Sequence, residues 1–196
     1  MICHGLMQVR ELEFNFKMKK YFDELKTAMN WLAEREDTLF IGQAVEYPGT
    51  AMFNSLKQVD VNKRIELPVF EDTQMGMSIG LALNGFKVIS IYPRWNFLIC
   101  ATNQLVNHVD KFPLIGGNNN KNSIIIRTAV GSQRPLHPGS QHIGNYTEAF
   151  KNMLNTVEVI ELKEVDEIMP AYQKAYERDD GISSLIVEHM DFYNEK

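Results

Sequence analysis

Residues 67–82 read LPVFEDTQMGMSIGLA and place one acidic residue, Glu71, at the end of a short apolar run. We predict that a helix of small residues follows at once, in which Gly76 and Gly80 stand four apart and leave one face without side chains. This arrangement suits a carboxylate that points at something buried. The alternative is a glutamate that is favoured in the first turn by the positive end of the helix dipole, and composition alone favours this alternative.

Helical and strand patterns alternate on both sides of this stretch. Helices are predicted over residues 18–35, 73–84, 96–110, 147–154 and 165–176, and strands over residues 38–42, 65–70, 87–91, 123–127, 157–160 and 183–188. Such alternation predicts an α/β fold, a three-layer α/β/α arrangement with a mainly parallel sheet.

Three segments are predicted to be loops. Residues 47–50 form a turn, residues 116–122 form a polar Gly/Asn loop, and residues 129–146 form a long loop rich in Gly, Pro and His. Loops as long as the third are usually functional when they occur inside a compact domain. We therefore expect functional side chains in residues 129–146.

Residues 18–196 are predicted to form one domain, whereas residues 1–17 fit the pattern poorly. Two interpretations of residues 1–17 stay open: an appended N-terminal arm, which we expect to be disordered, or an artefact of the start codon. Met18 followed by two lysines resembles a natural start.

The composition narrows the class of protein. A net charge of −5 argues against a nucleic-acid surface. No apolar run is long enough to span a membrane, and the first residues do not have the pattern of a secretory signal. The two cysteines, Cys3 and Cys100, lie far apart, which favours a reduced cytoplasmic protein without a disulfide or a cysteine metal site.

Several short motifs occur in an order that is typical of one family, although each alone is weak. They are Gly42-Gln43-Ala44-Val45, Pro68-Val69-Phe70-Glu71 with Gly76, Asn96-Phe97, Asn103-Gln104, Ile126-Arg127, Gln141-His142 and Glu148-Ala149-Phe150. With these motifs the chain resembles the beta subunit of the thiamine-diphosphate-dependent component of pyruvate and branched-chain 2-oxo acid dehydrogenases. It is more distantly similar to the central domain of transketolase. The resemblance implies a pyrimidine-binding domain with the thiamine-diphosphate-binding fold.

The resemblance also implies roles for several residues. Glu71 would be the catalytic carboxylate that binds the pyrimidine ring nitrogen of thiamine diphosphate, and Phe97 would stack on that ring. His142 would be catalytic and would bind the substrate through a ring nitrogen. Glu46 follows the first strand and is a candidate cofactor contact. The alternatives are a core aromatic for Phe97 and a solvated loop histidine for His142.

Three basic residues are candidates for anchoring an anionic substrate: His137, Arg134 and Arg127. Surface or structural roles are equally compatible with the sequence. Gly76 and Gly80 permit close helix packing, either with a second copy of the domain or within the domain itself.

The departures from the family pattern matter as much as the matches. The beta subunits continue into a further C-terminal domain, and this chain ends where that domain would begin. After His142 the family usually has Ser-Gln, whereas this chain has Ile143-Gly144, which leaves the substrate open. The Gly-Asp-Gly motif that holds magnesium and the diphosphate is absent, and Asp179-Asp180-Gly181 does not replace it.

The expectation is therefore a pyrimidine-binding subunit of a split enzyme. A separate alpha-type subunit would bind the diphosphate and Mg²⁺, the pyrimidine domains would self-associate, and the assembly would be a heterotetramer. The substrate would be a 2-oxo acid or a ketose. The alternative is a catalytically inactive scaffolding or regulatory relic of the same fold. A flavodoxin-like nucleotide-binding protein is less favoured, because no Gly-rich phosphate loop follows the first strand.

Overall fold

The computed structural model describes residues 20–115 and 122–194. The predicted arm, residues 1–17, and nearly all of the predicted polar loop lie outside this part. The described residues form a sheet of six parallel strands in the order β2-β1-β3-β4-β6-β5. The strands are β1 (Thr38–Gly42), β2 (Arg64–Glu66), β3 (Lys87–Ile91), β4 (Ile124–Val130), β5 (Glu158–Glu161) and β6 (Ser184–His189).

Helices connect these strands and cover both faces of the sheet. They are α1 (Tyr21–Ala33), α2 (Ala51–Ser55), α3 (Glu71–Leu83), α4 (Trp95–Leu98), α5 (Thr102–Asn107), α6 (Phe112–Ile115), α7 (Thr147–Met153) and α8 (Val165–Glu177). None of the helices in the described ranges has both the length and the apolar character that crossing a membrane requires.

Side chains alternate between the two faces of the sheet, as strand geometry requires. Phe40, Ile89 and Ile125 pair across three neighbouring strands and pack on one face with residues of α1 and α8. Ile41 and Ile124 belong to the core on the other face, with residues of α3, α5 and α7. The predicted three-layer α/β/α fold is therefore confirmed.

Two predicted elements differ from the structure for local chemical reasons. The strand predicted over residues 65–70 ends at Glu66, because Pro68 has no N–H to continue the ladder. The Phe70 N–H donates to the Pro68 carbonyl oxygen at 2.8 Å instead of to a neighbouring strand. The helix predicted over residues 96–110 is divided into α4 and α5 by a tighter 3₁₀ turn. There the Thr102 hydroxyl donates to the Ile99 carbonyl at 2.6 Å and competes with the helical backbone.

Candidate active site

A cavity of about 810 Å³ opens at the carboxyl ends of the strands. Its walls come from residues within 43–54, 66–69, 93–97 and 190–194, together with Phe22, Ser132 and His142. β1 lies between β2 and β3, so the direction in which the chain winds reverses at this point of the sheet. Open parallel sheets bind ligands at such a switch point, outside the carboxyl ends of the strands. The position of the cavity therefore indicates a ligand site.

Phe97 and His142 both line this cavity. Phe97 lies in α4, and His142 ends the 3₁₀ turn Ser140–His142 in the long loop. Their ring centroids are 6.0 Å apart and their planes are inclined by 41°. The Nδ1 atom of His142 is buried and has no hydrogen-bond partner among the described residues. An aromatic face beside an unpartnered ring nitrogen suits a flat polar ligand.

Gly131, directly after β4, allows the long loop to reach the cavity. A Cβ atom at this position would lie 2.0 Å from the carbonyl oxygen of His142 and 3.3 Å from Cδ of Arg94. The first distance leaves no room for a side chain, because the obstacle is backbone. The close packing at Gly131 thus brings the His142 turn and the Arg94 side chain to the same point.

Glu66, the last residue of β2, shapes the cavity wall. Its Oε1 accepts the N–H of Ala44 at 2.9 Å, and its Oε2 accepts those of Val45 and Glu46 at 2.7 and 2.8 Å. The loop after β1 is thereby held in place, including Ala44 in the left-handed conformation with a φ of 60°. Sequence reasoning missed this role, because it depends on the register that places Glu66 beside Gly42 in the parallel sheet.

Two further cavity residues were also missed. Gln43 is 8% exposed, and its Nε2 atom has no partner within the described ranges. Arg94 lines the cavity between β3 and α4, and the structure gives its guanidinium no hydrogen bond or ion pair with any described residue. Both side chains therefore have N–H donors that no described residue uses. Gln43 was visible within the Gly-Gln-Ala-Val motif, whereas nothing in the sequence distinguished Arg94.

Glu71 is the first residue of α3 and lies beside the cavity rather than in its lining. It is 7% exposed, and Leu67 and Val69 just before it do line the cavity. The Tyr92 hydroxyl, at the end of β3, donates to the Glu71 carbonyl oxygen at 3.3 Å. Burial raises the pKa of Tyr92, and the Glu71 carboxylate raises it further, so Tyr92 stays a neutral donor. Among the described residues, none makes a hydrogen bond to the Glu71 carboxylate itself.

Three other predicted residues lie away from the cavity lining. Glu46 is exposed at its border, where its Oε1 accepts the N–H of Glu66 at 3.3 Å. His137 and Arg134 are exposed on the long loop, and the Arg134 N–H donates to Asp191 at 3.3 Å. The structure therefore brings His142, but neither of these two, to the cavity.

Arg127 lies in the core. Its guanidinium donates through two nitrogens to the Glu188 carboxylate at 2.7 and 2.9 Å, and through the third to the Ser55 hydroxyl at 2.8 Å. The Tyr172 and Tyr193 hydroxyls donate to the same carboxylate. Arg127 and Glu188 are both fully buried, so Arg127 joins β4 to β6 inside the core and is not accessible to a substrate.

No family model matches the chain. Its sequence is 27% identical over 135 residues to the pyruvate dehydrogenase E1 component subunit beta of Rickettsia felis, a match that covers 67% of this chain and 41% of that relative. The subunit of the same name from Gracilaria tenuistipitata is 29% identical over 126 residues, covering 62% of this chain and 38% of the relative. The chain thus spans about two fifths of the length of the curated relatives that it matches.

Solved structures with a similar fold include a transketolase. A split-gene transketolase, described as an inactive beta4 tetramer, gives a TM-score of 0.64 at 14% identity and covers 85% of this chain and 50% of that chain. The domain therefore has a transketolase-like α/β fold. In sequence it resembles the beta subunits of pyruvate dehydrogenase E1, so the resemblance predicted from the motifs is confirmed.

The cavity fits one part of thiamine diphosphate. Phe97 contributes an aromatic ring to the lining, and Gln43 and His142, which also line the cavity, each have a nitrogen without a hydrogen-bond partner among the described residues. Within residues 20–115 and 122–194, no cluster of three His, Cys, Asp or Glu side chains could hold a metal ion. The described residues therefore suit the pyrimidine ring better than the magnesium-bound diphosphate.

Proposed function

We propose that this chain is the pyrimidine-binding subunit of a split thiamine-diphosphate-dependent enzyme, of the transketolase-like or the 2-oxo acid dehydrogenase and decarboxylase-like type. The observation that carries the proposal is the meeting of Phe97 and His142 in one cavity at the switch point of the sheet. The two residues come from segments far apart in the chain. The similarity to pyruvate dehydrogenase beta subunits supports the same conclusion.

Each proposed residue has a distinct task. When bound, thiamine diphosphate supplies the electron sink for cleaving a bond next to a carbonyl group. Phe97 would hold the aminopyrimidine through its aromatic ring, and the Glu71 carboxylate would accept a hydrogen bond from the pyrimidine ring nitrogen. His142 donates a ring N–H to an oxygen of the substrate, a 2-oxo acid or a ketose. Glu46, at the border of the cavity, is a further proposed cofactor contact.

A separate alpha-type subunit is proposed to bind the diphosphate and Mg²⁺. The 196 residues contain no Gly-Asp-Gly motif, and the cavity wall has no acidic cluster among the described residues. Each complete site would then need one domain of each kind. With pairing of the pyrimidine domains, the proposed assembly is a heterotetramer.

Reconstitution tests this proposal directly. We would co-express the chain with a diphosphate-domain protein encoded beside its gene, and titrate thiamine diphosphate with Mg²⁺ by calorimetry. Tight binding is expected for the complex and not for either chain alone, because each chain holds only half of the contacts. Turnover of a 2-oxo acid or a ketose should follow the same requirement.

The opposite result would favour the alternative function. If no complex forms, or if a stable complex binds no thiamine diphosphate, the proposed enzymatic function is wrong. The chain would then be a scaffolding or regulatory relic of the fold. A matched Phe97→Leu variant separates specific from nonspecific heats, because it removes the aromatic face and leaves the cavity apolar.

The exposed face of α3 supports self-association of the pyrimidine domains. Within the described part of the chain, a Cβ atom added at Gly76 or Gly80 would meet nothing within 4 Å. Met77 and Leu83 on the same helix are 42% and 57% exposed, and Phe70, directly before the helix, is 66% exposed. Packing within the domain therefore does not explain the glycines, and we propose that a second copy covers them.

Gly80→Gln should disrupt this pairing without harming the fold. The new side chain has room in the monomer and a helix propensity better than glycine by somewhat less than about 1 kcal/mol, but it blocks close approach of a second helix. We expect sedimentation velocity to show the wild type as a dimer or larger and the variant as a monomer. Gly80→Ala is the matched control with a smaller effect. An unchanged mass for Gly80→Gln would contradict pairing through this face.

A further inference from the structure

The cavity has an unusual balance of charge. Among the residues that line it in the described ranges, Glu66 and Arg94 are the charged ones. The Glu66 carboxylate is occupied, since both of its oxygens accept backbone N–H groups. The Arg94 guanidinium meets no acceptor among the described residues. The cavity therefore holds a guanidinium that has no direct hydrogen-bond or ion-pair partner among the described residues.

Arg94 is held in position at its backbone. Its carbonyl oxygen accepts the N–H groups of Phe97 and Leu98 at 3.0 and 3.3 Å, which ties it to the start of α4. Its Cδ atom passes close to Gly131, where the His142 carbonyl also packs. The stem of the side chain is thus directed to the part of the cavity that His142 lines.

We propose that Arg94 binds the anionic end group of the substrate, a carboxylate or a phosphate, beside His142. This inference rests on the proposed function, because it names a residue that selects the substrate of the same site. The planar guanidinium matches both oxyanions through paired N–H donors. Gln43 and His142 line the same cavity, and each has a nitrogen without a hydrogen-bond partner among the described residues. Arg94 would thereby fix which end of the substrate points away from the cofactor.

The first test uses the full chain without cofactor. We would follow the imidazole proton resonances by NMR while adding pyruvate or inorganic phosphate, and would assign His142 with a His142→Gln variant. The His142 signal should move in the wild type with millimolar anion, and Arg94→Gln should abolish the shift. Arg94→Lys should restore part of it. Lys151→Gln, which removes an exposed cation on α7, is the matched control and should leave the shift unchanged.

The second test uses the reconstituted enzyme. Arg94→Gln should raise KM by about 10- to 100-fold for an anionic substrate, the size expected for one charge-assisted contact, with kcat nearly unchanged. A neutral substrate should show no such increase. Pyruvate compared with acetaldehyde tests the carboxylate, and a ketose phosphate compared with the free ketose tests the phosphate.

The outcomes separate this inference from the proposed function. The complex could turn over substrate while Arg94→Gln raises KM equally for neutral and anionic substrates. That result would overturn the role of Arg94 and keep the proposed enzymatic function. The complex could instead fail to bind thiamine diphosphate while the His142 NMR signal still shows an Arg94-dependent shift. That result would overturn the proposed enzymatic function and keep the proposed oxyanion site at Arg94. A His142 shift that persists in Arg94→Gln, or loss of complex formation in that variant, would overturn the inference.

Discussion

Glu71→Gln is expected to lower the turnover of the reconstituted enzyme by at least about 100-fold, the lower range for a proton-controlling side chain. Glutamine keeps the shape of the side chain but is neutral, so it cannot stabilise a protonated pyrimidine nitrogen. Glu71 is buried at the start of α3, and no hydrogen bond from a described residue competes for its carboxylate. Steady-state kinetics with a 2-oxo acid or a ketose would measure the loss.

The neighbouring residue provides a close control. Asp72→Asn makes the same neutralisation one position later, on an exposed side chain that accepts from Gln104 at 3.3 Å. It should keep turnover within a few-fold of the wild type. Calorimetry should show thiamine diphosphate still bound by Glu71→Gln. Equal losses in both variants would instead point to the fold of α3, and full activity of Glu71→Gln would exclude its catalytic role.

Arg127→Met is expected to lower the free energy of unfolding by about 3–5 kcal/mol, the usual cost of leaving one partner of a buried ion pair alone. Burial by itself would lower the pKa of Arg127, but Glu188 keeps that pKa above its ordinary value, so the guanidinium stays charged. Removing the guanidinium leaves the Glu188 carboxylate in the core with only hydroxyl donors. Urea unfolding followed by circular dichroism would measure the change.

Two comparisons make this result specific. Arg127→Met combined with Glu188→Leu should recover much of the lost stability, because no unpaired charge then remains in the core. Lys151→Met breaks the exposed pair with Glu148 on α7 and should cost less than about 1 kcal/mol. If Arg127→Met costs no more than this surface variant, the buried pair does not stabilise the domain.

The elements of the fold could be predicted from local patterns. The buried β4, with Ile124 to Ile126, and the apolar periodicity of α1 are properties of short segments, and the structure confirms both. The positions at which helices and strands end were harder to predict from the sequence. Thr102 divides a predicted helix through a hydroxyl contact that competes with the backbone, and Pro68 ends a strand earlier than its apolar neighbours indicated.

The site could be predicted only where the motif and the cavity coincide. Phe97 and His142 were identified by their motifs, and both line the cavity. The role of Glu66 in holding the loop after β1 depends on its register beside Gly42 in the parallel sheet. Arg94 depends on close packing at Gly131, more than thirty positions later in the chain. Such contacts are set by tertiary pairing, which local periodicity does not contain.

Arg127 is a case in which the sequence predicted a ligand contact and the structure shows a core residue instead. A basic residue at the end of an apolar strand was a reasonable anchor for an anionic substrate, since its partner was not visible nearby. Glu188 lies 61 positions away and meets it only because β4 and β6 are neighbours. The charge that the sequence offered to a ligand is used inside the core.

The hydrogen bonds from the loop after β1 to the Glu66 carboxylate have a consequence for the energetics of ligand binding. The amides of residues 44–46 are satisfied by a side chain from the adjacent strand, so this wall needs no ligand to complete it. A ligand that enters meets a surface already in its bound shape, and little ordering entropy opposes its binding. Affinity at this wall should then reflect the contacts themselves, and selectivity should follow from the rigid outline of the wall rather than from its adjustment to each ligand.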